Sequence, residues 1–221
     1  MTADEHLNHL QSRRSVRRFT DAPVPRAVLE RLLLAATSAP SSTNRQPWRF
    51  AVVTEPGLRA KVVDAVRERT EAMKAVIARS HHAADFGSYG DFFYEPLQTA
   101  AAIVVPQYRE YPDLLAELIA SGGGDPRALP TAGAMQAELC STSAAILALL
   151  LQAHAEGLGA CWMAGPMVAR EPIGALLDIR APWRMVGAVA LGHPAGSAEP
   201  KGRKPLDKVV HWFDAVPGEP P

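Results

Sequence analysis

A chain of 221 residues, 48% of them hydrophobic, is long enough to bury a sizeable core and short enough to form one domain. Its 23 basic and 23 acidic side chains cancel to a formal net charge of +0, which excludes a general attraction to nucleic acid or to an acidic membrane surface. The residues through His9 are polar and read as no signal peptide, and the most apolar stretch, Ala144–Leu151, is too short to span a bilayer, so a soluble, cytoplasmic protein is expected.

In chain order, the first feature is Arg13-Arg14-Ser15-Val16-Arg17-Arg18-Phe19. Guanidinium groups gathered around a hydroxyl match the geometry of a phosphate dianion, although a solvated basic helix end has the same composition. Pro25 then opens a helix in which Val28, Leu29, Leu32, Leu33 and Ala36 recur at helical spacing, ending before Pro40. Next comes a run of hydroxyl and amide residues, Ser38-Ala39-Pro40-Ser41-Ser42-Thr43-Asn44-Arg45-Gln46-Pro47-Trp48. Such a run suits either a polar turn or the polar edge of a planar heterocycle. Phe50–Val53 reads as a strand and Leu58–Ala78 as a second amphipathic helix, with Leu58, Val62, Ala65, Val66, Met73 and Ile77 on one side.

His81–Tyr94, rich in Gly, His and aromatic residues, is either a mobile loop over a substrate pocket or a surface connection. Ala101–Val105 reads as a strand, Tyr108–Leu118 as a short helix and Ser121–Pro130 as a loop. Ala134–Glu156 is the strongest helix, apolar on nearly every face, and is expected to be buried all round, in a subunit interface as well as in the core. Cys140 on it and Cys161 beyond it read as buried free thiols in preference to a disulfide. Gly157–Pro166 reads as a helix end, a short extended stretch and a Gly-Pro turn, with Ala164 and Gly165 small enough for close approach to a flat ring. Met185–Leu191 is expected to be a strand, Lys201–Asp207 a basic loop, and Val209–Pro221 a tail without a core of its own.

Several chemistries find no support in the pattern. No Gly-x-Gly-x-x-Gly follows a strand, and the Lys201–Asp207 loop lacks P-loop spacing. Adjacent His81 and His82 lack a matching ligand set, so no metal site is assigned, and no serine has the Gly-x-Ser-x-Gly context of a nucleophile. His154 reads as a satisfied core histidine.

The arginine, Ser-Ser-Thr-Asn, Gly-Pro and late basic segments, taken in order, resemble the FMN-dependent nitroreductase family over nearly the whole chain, from Leu10 to Val210. The resemblance implies an α+β fold, a mixed central sheet flanked by helices, in which residues 1–221 form one FMN-binding domain. It also implies an intertwined homodimer, with the long helix in its core, a C-terminal arm from about residue 206 to 221 around the partner, and two FMN sites at the interface. Carried onto this chain, Arg13, Arg14, Ser15 and Arg203 correspond to ribityl-phosphate contacts, with Lys201 as a second choice for the last. Arg17 corresponds to the basic residue at the flavin N1/O2 edge. Pro40, Ser41, Ser42 and Asn44 correspond to the wall along the ring and ribityl chain, and Met163, Ala164 and Gly165 to the N5 side.

The implied activity is ping-pong transfer from NAD(P)H to a small electron-poor acceptor such as a nitroaromatic or quinone, with no protein acid or base assigned. The alternatives are a specialised member (desaturase, dehalogenase or flavin-consuming enzyme) and a non-catalytic flavin-binding protein. Two departures stand out: Ala164 occupies a position where many members carry Glu, and no Glu/Tyr/Lys lid of the iodotyrosine-deiodinase type is visible.

Overall fold

The computed structural model describes residues 2–86, 88–128 and 135–213. Its helices and strands run α1 (Ala3–Ser12), α2 (Arg26–Thr37), β1 (Trp48–Val53), α3 (Pro56–Ile77), α4 (Ala83–Phe86), α5 (Glu95–Gln98), β2 (Ala102–Arg109), α6 (Leu114–Ser121), α7 (Ala137–Ala155), β3 (Gly159–Met163), α8 (Arg170–Leu176), β4 (Trp183–Met185) and β5 (Ala188–Gly192). The strands make one sheet in the order β1-β2-β5-β3, with β4 paired to the far end of β2 beyond β5. Every strand pair is antiparallel; the mixed character expected of the sheet comes from one parallel bridge, Ser15 to Ala160.

Side-chain alternation along these strands builds two cores. Ile103, Val105, Cys161, Met163, Ala188 and Ala190 point to one face, where Val62, Val63 and Val66 of α3 and Ile173 of α8 cover them. Ala102, Val104, Ala160, Val189 and Leu191 point to the other, covered by Leu29, Leu32 and Ala36 of α2 and by Ala145, Ile146, Leu149 and Ala153 of α7. Strand β2 is buried on both faces because a helical layer lies on each. Burial of each large aliphatic side chain here contributes about 1.5–3 kcal/mol.

The observed elements depart from expectation in several places, among them the short helices α4, α5 and α8, which no sequence pattern announced. The helix expected over Tyr108–Leu118 begins only at Leu114, because Tyr108 and Arg109 extend β2 and pair with Arg184 and Trp183 of β4. The strand expected over Met185–Leu191 is broken at Gly187, whose φ of +94° divides β4 from β5. Helix α7 is not buried all round in the single chain: Leu147 is 50% exposed, and Ser143, Ala144, Ala148 and Leu151 beside it are half-buried. Cys140 lies on that outward stripe and is exposed, whereas Cys161 is buried, and both are free thiols. Helix α1, unforeseen, is closed by a capping box in which Glu5 N–H donates to Thr2 Oγ1 at 3.2 Å and Thr2 N–H donates to Glu5 Oε2 at 2.7 Å. Ala134, Leu129 and Pro130, and the tail beyond Phe213 lie outside the described residues.

By length and composition alone α7 could cross a membrane, with mean hydropathy 1.2 in an 18-residue window of its 19 residues. In the fold, its apolar residues Ala145, Ile146, Leu149 and Ala153 face the sheet and α2. A bidentate pair locks α2 to the end of α7: Arg31 Nε and Nη2 donate to Glu156 Oε1 and Oε2, both at 2.7 Å, and Gln152 Nε2 adds a third bond at 3.0 Å. Hydrogen bonds from Arg31, then Gln152, pull the Glu156 carboxyl down to about 2. A carboxyl depressed in the folded state stabilises above its unfolded value and loses that contribution as pH falls through the folded one. Carboxyl NMR titration of Arg31→Ala is therefore expected to return Glu156 to the ordinary carboxylate range and to remove its share of the stability change below about pH 4.5. A Glu156 titration unchanged in the variant would show that the pair is not what holds it.

Candidate functional site

Past Arg13, the chain leaves α1 and runs beside β3. Val16 N–H donates to Ala160 O at 3.1 Å, and Ser15 bridges Ala160 in parallel. Further on, Thr20 N–H donates to His193 O at 2.9 Å and Ala195 N–H donates to Arg18 O at 3.1 Å, so the segment is pinned along the Gly159/Gly192 end of the β3–β5 pair. Val16 turns into the α3-side core, and Arg17, the next residue, stays exposed.

Arg17 lines a cavity of about 450 Å³ together with Cys161, Trp162, Met163, Ala164 and Gly165, the residues that continue out of β3. Its volume is within the range of small-molecule pockets, ~300–1,000 Å³. The far wall is aromatic: Tyr89, Phe92 and Phe93, from the segment that the sequence left open between a pocket loop and a surface connection, close it with Met167 and Val168. Their rings meet edge to face, Tyr89 to Phe93 at 5.7 Å and Phe92 to Phe93 at 4.7 Å, and the chain of rings continues outward through Phe86 to His82. Phe93 explains why residue 165 is glycine. A Cβ there would fall 2.3 Å from Phe93 Cδ1, so the ring occupies the space a side chain would need. Cys161, at the cavity's base, has its thiol pushed up by burial, against the opposing pull of Arg17 and Arg13, and is kept protonated.

The cations flanking this cavity contact backbone oxygens. Arg17 Nη1 donates to Ser15 O at 3.3 Å, and Arg14 Nη1 donates to Gln11 O at 2.6 Å and to Arg13 O at 3.0 Å. Among the described residues, neither Arg13, Arg14, Arg17 nor Arg203 is within ion-pair distance of a carboxylate, whereas Arg26, Arg31, Arg45, Arg67, Arg170, Arg180 and Arg184 are. The Arg13–Arg17 strip is therefore a local, uncompensated positive charge in a neutral protein, with hydrogen-bond donors to spare.

Pro40, Ser41, Ser42 and Asn44 lie elsewhere. They follow α2 in the α7 layer, where Ser42 N–H donates to Ser141 Oγ at 3.2 Å and Arg45 pairs with Glu138 at 3.3 Å. The turn is tight. Thr43, Asn44 and Gln46 adopt φ of +50°, +54° and +48°, and Ser41 Oγ accepts from Gln46 N–H at 3.0 Å. Left-handed non-glycine residues cost about 1–3 kcal/mol each, and such strain gathers at functional segments. The side chains of Ser42, Thr43 and Asn44 are exposed, and the cavity around Arg17 does not include them. Arg203 is exposed on the loop beyond β5, where its Nη1 donates to Lys201 O at 3.1 Å and Gly202 O at 3.3 Å.

One chain thus brings Arg17 together with Met163, Ala164 and Gly165, and continues along the chain through Ser15 to Arg14 and Arg13, while neither Pro40–Asn44 nor Arg203 lines that cavity. A larger cavity of about 820 Å³ lies across Met167, lined by Arg170, Arg180, Arg184, Trp183 and Tyr108. Its arginines are already matched, to Glu171, Asp178 and Glu110, so it offers no comparable free charge. Tyr89, Phe92, Phe93 and Met167 were not among the expected site residues; the aromatic density of residues 81–94 pointed to the first three, and no sequence signal pointed to Met167.

With this geometry in hand, the nitroreductase family model matches residues 10–193. The chain is 29% identical over 204 residues to an NADH dehydrogenase of Thermus thermophilus, covering 90% of this chain and 92% of that protein. It is also 29% identical over 184 residues to a 5,6-dimethylbenzimidazole synthase of Rhodospirillum rubrum, covering 83% and 79%. Among solved structures, a BluB-like flavoprotein from Clostridium difficile superimposes with a TM-score of 0.80 at 22% identity, covering 94% of this chain and 98% of that one, a likeness of fold alone.

Proposed function

This chain belongs to the nitroreductase family, an oxidoreductase family, and from that premise we propose that it is an FMN-dependent, cytoplasmic enzyme that takes electrons from NAD(P)H and reduces small electron-poor acceptors such as nitroaromatics or quinones. The observation that carries the reading is the meeting of Arg17 with Met163, Ala164 and Gly165 in one cavity edged by unpaired arginines. A flat, electron-accepting ring with an anionic tail suits both halves of that surface. The backbone at Ala164–Gly165 is bare enough to lie against a ring, and the strip from Arg13 to Ser15 offers a hydroxyl and guanidinium donors for a phosphate.

When bound, FMN would supply a two-electron carrier between donor and acceptor. The remaining tasks fall to side chains. Arg13, Arg14, Ser15 and Arg203 would hold its phosphate. Arg17 offsets negative charge on the pyrimidine edge, a preorganised cation at the place where charge develops. Tyr89, Phe92 and Phe93 exclude water from the acceptor side and present aromatic faces to a planar acceptor. No side chain is assigned as proton donor.

A homodimer belongs to the same reading. Within one chain Pro40–Asn44 does not line the cavity around Arg17, and in this reading a second copy supplies it. The surface such an assembly needs is available: the outward stripe of α7 around Leu147, and Leu206, Val209, Trp212 and Phe213, all more than half exposed, at the start of the C-terminal arm.

The second reading, a specialised member of the family, is favoured by one fact: the synthase relative has the same 29% identity as the NADH dehydrogenase, over 184 residues against 204. One experiment separates the two. The purified protein is loaded with FMN, freed of excess by gel filtration and mixed with NADH or NADPH without oxygen; a nitroaromatic or quinone is then added. Bleaching of the flavin band followed by its return on addition of acceptor is expected. Bleaching with no return for any such acceptor would favour the specialised reading. Protein that stays colourless after excess FMN would remove the cofactor from the proposal.

A further inference from the structure

Helix α1 immediately precedes the arginine strip, yet none of its residues is buried, and Leu7 and Leu10 are 50% and 40% exposed. Its attachment to α7 is polar. His9 Nε2 lies 3.1 Å from Leu151 O, a group that only accepts, so His9 carries its proton on Nε2 and donates there. The His9 ring stacks on that of His154, centroids 4.7 Å apart and planes 26° from parallel. Ser12 Oγ lies 2.8 Å from His154 Nε2 and 3.1 Å from His9 O. Arg13 is the next residue, and Arg14 reaches back to Gln11 O at 2.6 Å, so both arginines move with the last turn of α1.

Resting on the cofactor reading above, we propose that His9 and His154 are positioning residues for the phosphate-binding arginines: the stacked pair holds α1, and with it Arg13 and Arg14, against α7, and protonation of His154 releases it. The charged groups that bear on His154 are basic. From α1 and the segment after it come His9 itself, Arg13 and Arg14. From α7 comes only the neutral Leu151 carbonyl. The nearby carboxylate, Glu156, is turned to Arg31 of α2 and to Gln152. Burial, then His9, Arg13 and Arg14, hold His154 below the usual histidine range. An imidazolium at His154 would face the Arg13 and Arg14 guanidinium groups across the stack, and that repulsion is what loosens the last turn of α1 from α7.

The phosphate of FMN titrates in the same range, with a second pKa of about 6, so wild-type binding alone is not diagnostic. The test compares wild type with His154→Gln, which can still hydrogen-bond Ser12 and does not titrate. FMN and riboflavin affinities are measured between about pH 7.5 and 5.5, and amide hydrogen exchange of α1 is followed in the flavin-free wild type over the same window. Acidification is expected to weaken wild-type FMN binding about tenfold more than that of the variant, to leave riboflavin with no such difference, and to strip protection from α1. Equal pH slopes in the two proteins, or α1 protection that ignores pH, would overturn the positioning role while leaving FMN binding intact. Failure of both proteins to bind FMN at every pH would instead overturn the cofactor reading, and the coupling with it.

Discussion

Gly187→Ala is expected to destabilise the protein by about 2–5 kcal/mol, the sum of a left-handed backbone penalty and an overpacking penalty. The residue adopts φ +94°, which an L side chain rarely takes. A Cβ there would also lie 2.3 Å from Met163 O and 3.2 Å from Trp162 Nε1. The first of these is backbone of β3, so relief requires moving β3 away from β5 rather than rotating a side chain. For a chain of this length the melting temperature is expected to fall by about 5–15 °C. The loss also reaches the site. Trp162 Nε1 donates to Val186 O at 2.8 Å and Gly187 N–H contacts Met167 Sδ at 3.2 Å, so displacing this turn disturbs both Met163 and Met167 in the cavity wall. Thermal unfolding of the variant followed by circular dichroism checks the first claim; a melting temperature within a degree or two of the parent would refute it.

Gly187 also illustrates what the sequence conceals. Periodicity located α2, α3, α7 and the cores of β1, β2 and β5, because each carries several apolar residues at a regular spacing and is covered by a helical layer. It missed α1, which has no buried residue and so no apolar stripe, and it merged β4 with β5, because a single backbone angle interrupts an otherwise continuous apolar run. Tyr108 and Arg109 read as helical because β2 runs beyond the core there and its outer residues are polar. Cys140 read as buried because its neighbours in sequence are apolar, although its turn of α7 faces away from the sheet. The site divides in the same way. Residue types and order identified Arg17 and Met163–Gly165 separately, but their meeting depends on the pairing of Ser15–Val16 with Ala160, which no local pattern encodes. The aromatic wall was visible as composition in residues 81–94; its position against Gly165 was not, because that contact is made by Phe93 across the fold.

The separation of Pro40–Asn44 from Arg17 within one chain leads to the sharpest test of the proposed assembly. Arg17→Glu reverses the charge at the cavity rim, and Ser42→Glu places a bulky carboxylate on the exposed turn while leaving the Ser42 backbone N–H free to donate to Ser141. Each variant is expected to weaken FMN binding at least tenfold, since a charge-assisted contact is worth about 1.5–3 kcal/mol and a repulsive one adds to the loss. The two chains are then co-expressed with different tags, and the mixed dimer is isolated. If each site takes its arginines from one copy and its serine turn from the other, the mixed dimer holds one site damaged twice and one site with both halves intact. It is then expected to bind about one FMN per two chains, although neither parent variant retains any under the same conditions. If instead each chain built its own site, both sites of the mixed dimer would carry one lesion and no flavin would be recovered. Flavin content per dimer, read from the visible absorbance after gel filtration, decides between them. An empty mixed dimer, made of subunits that fold and associate normally, would place the serine turn and the arginine strip of one chain in the same site and overturn the shared arrangement.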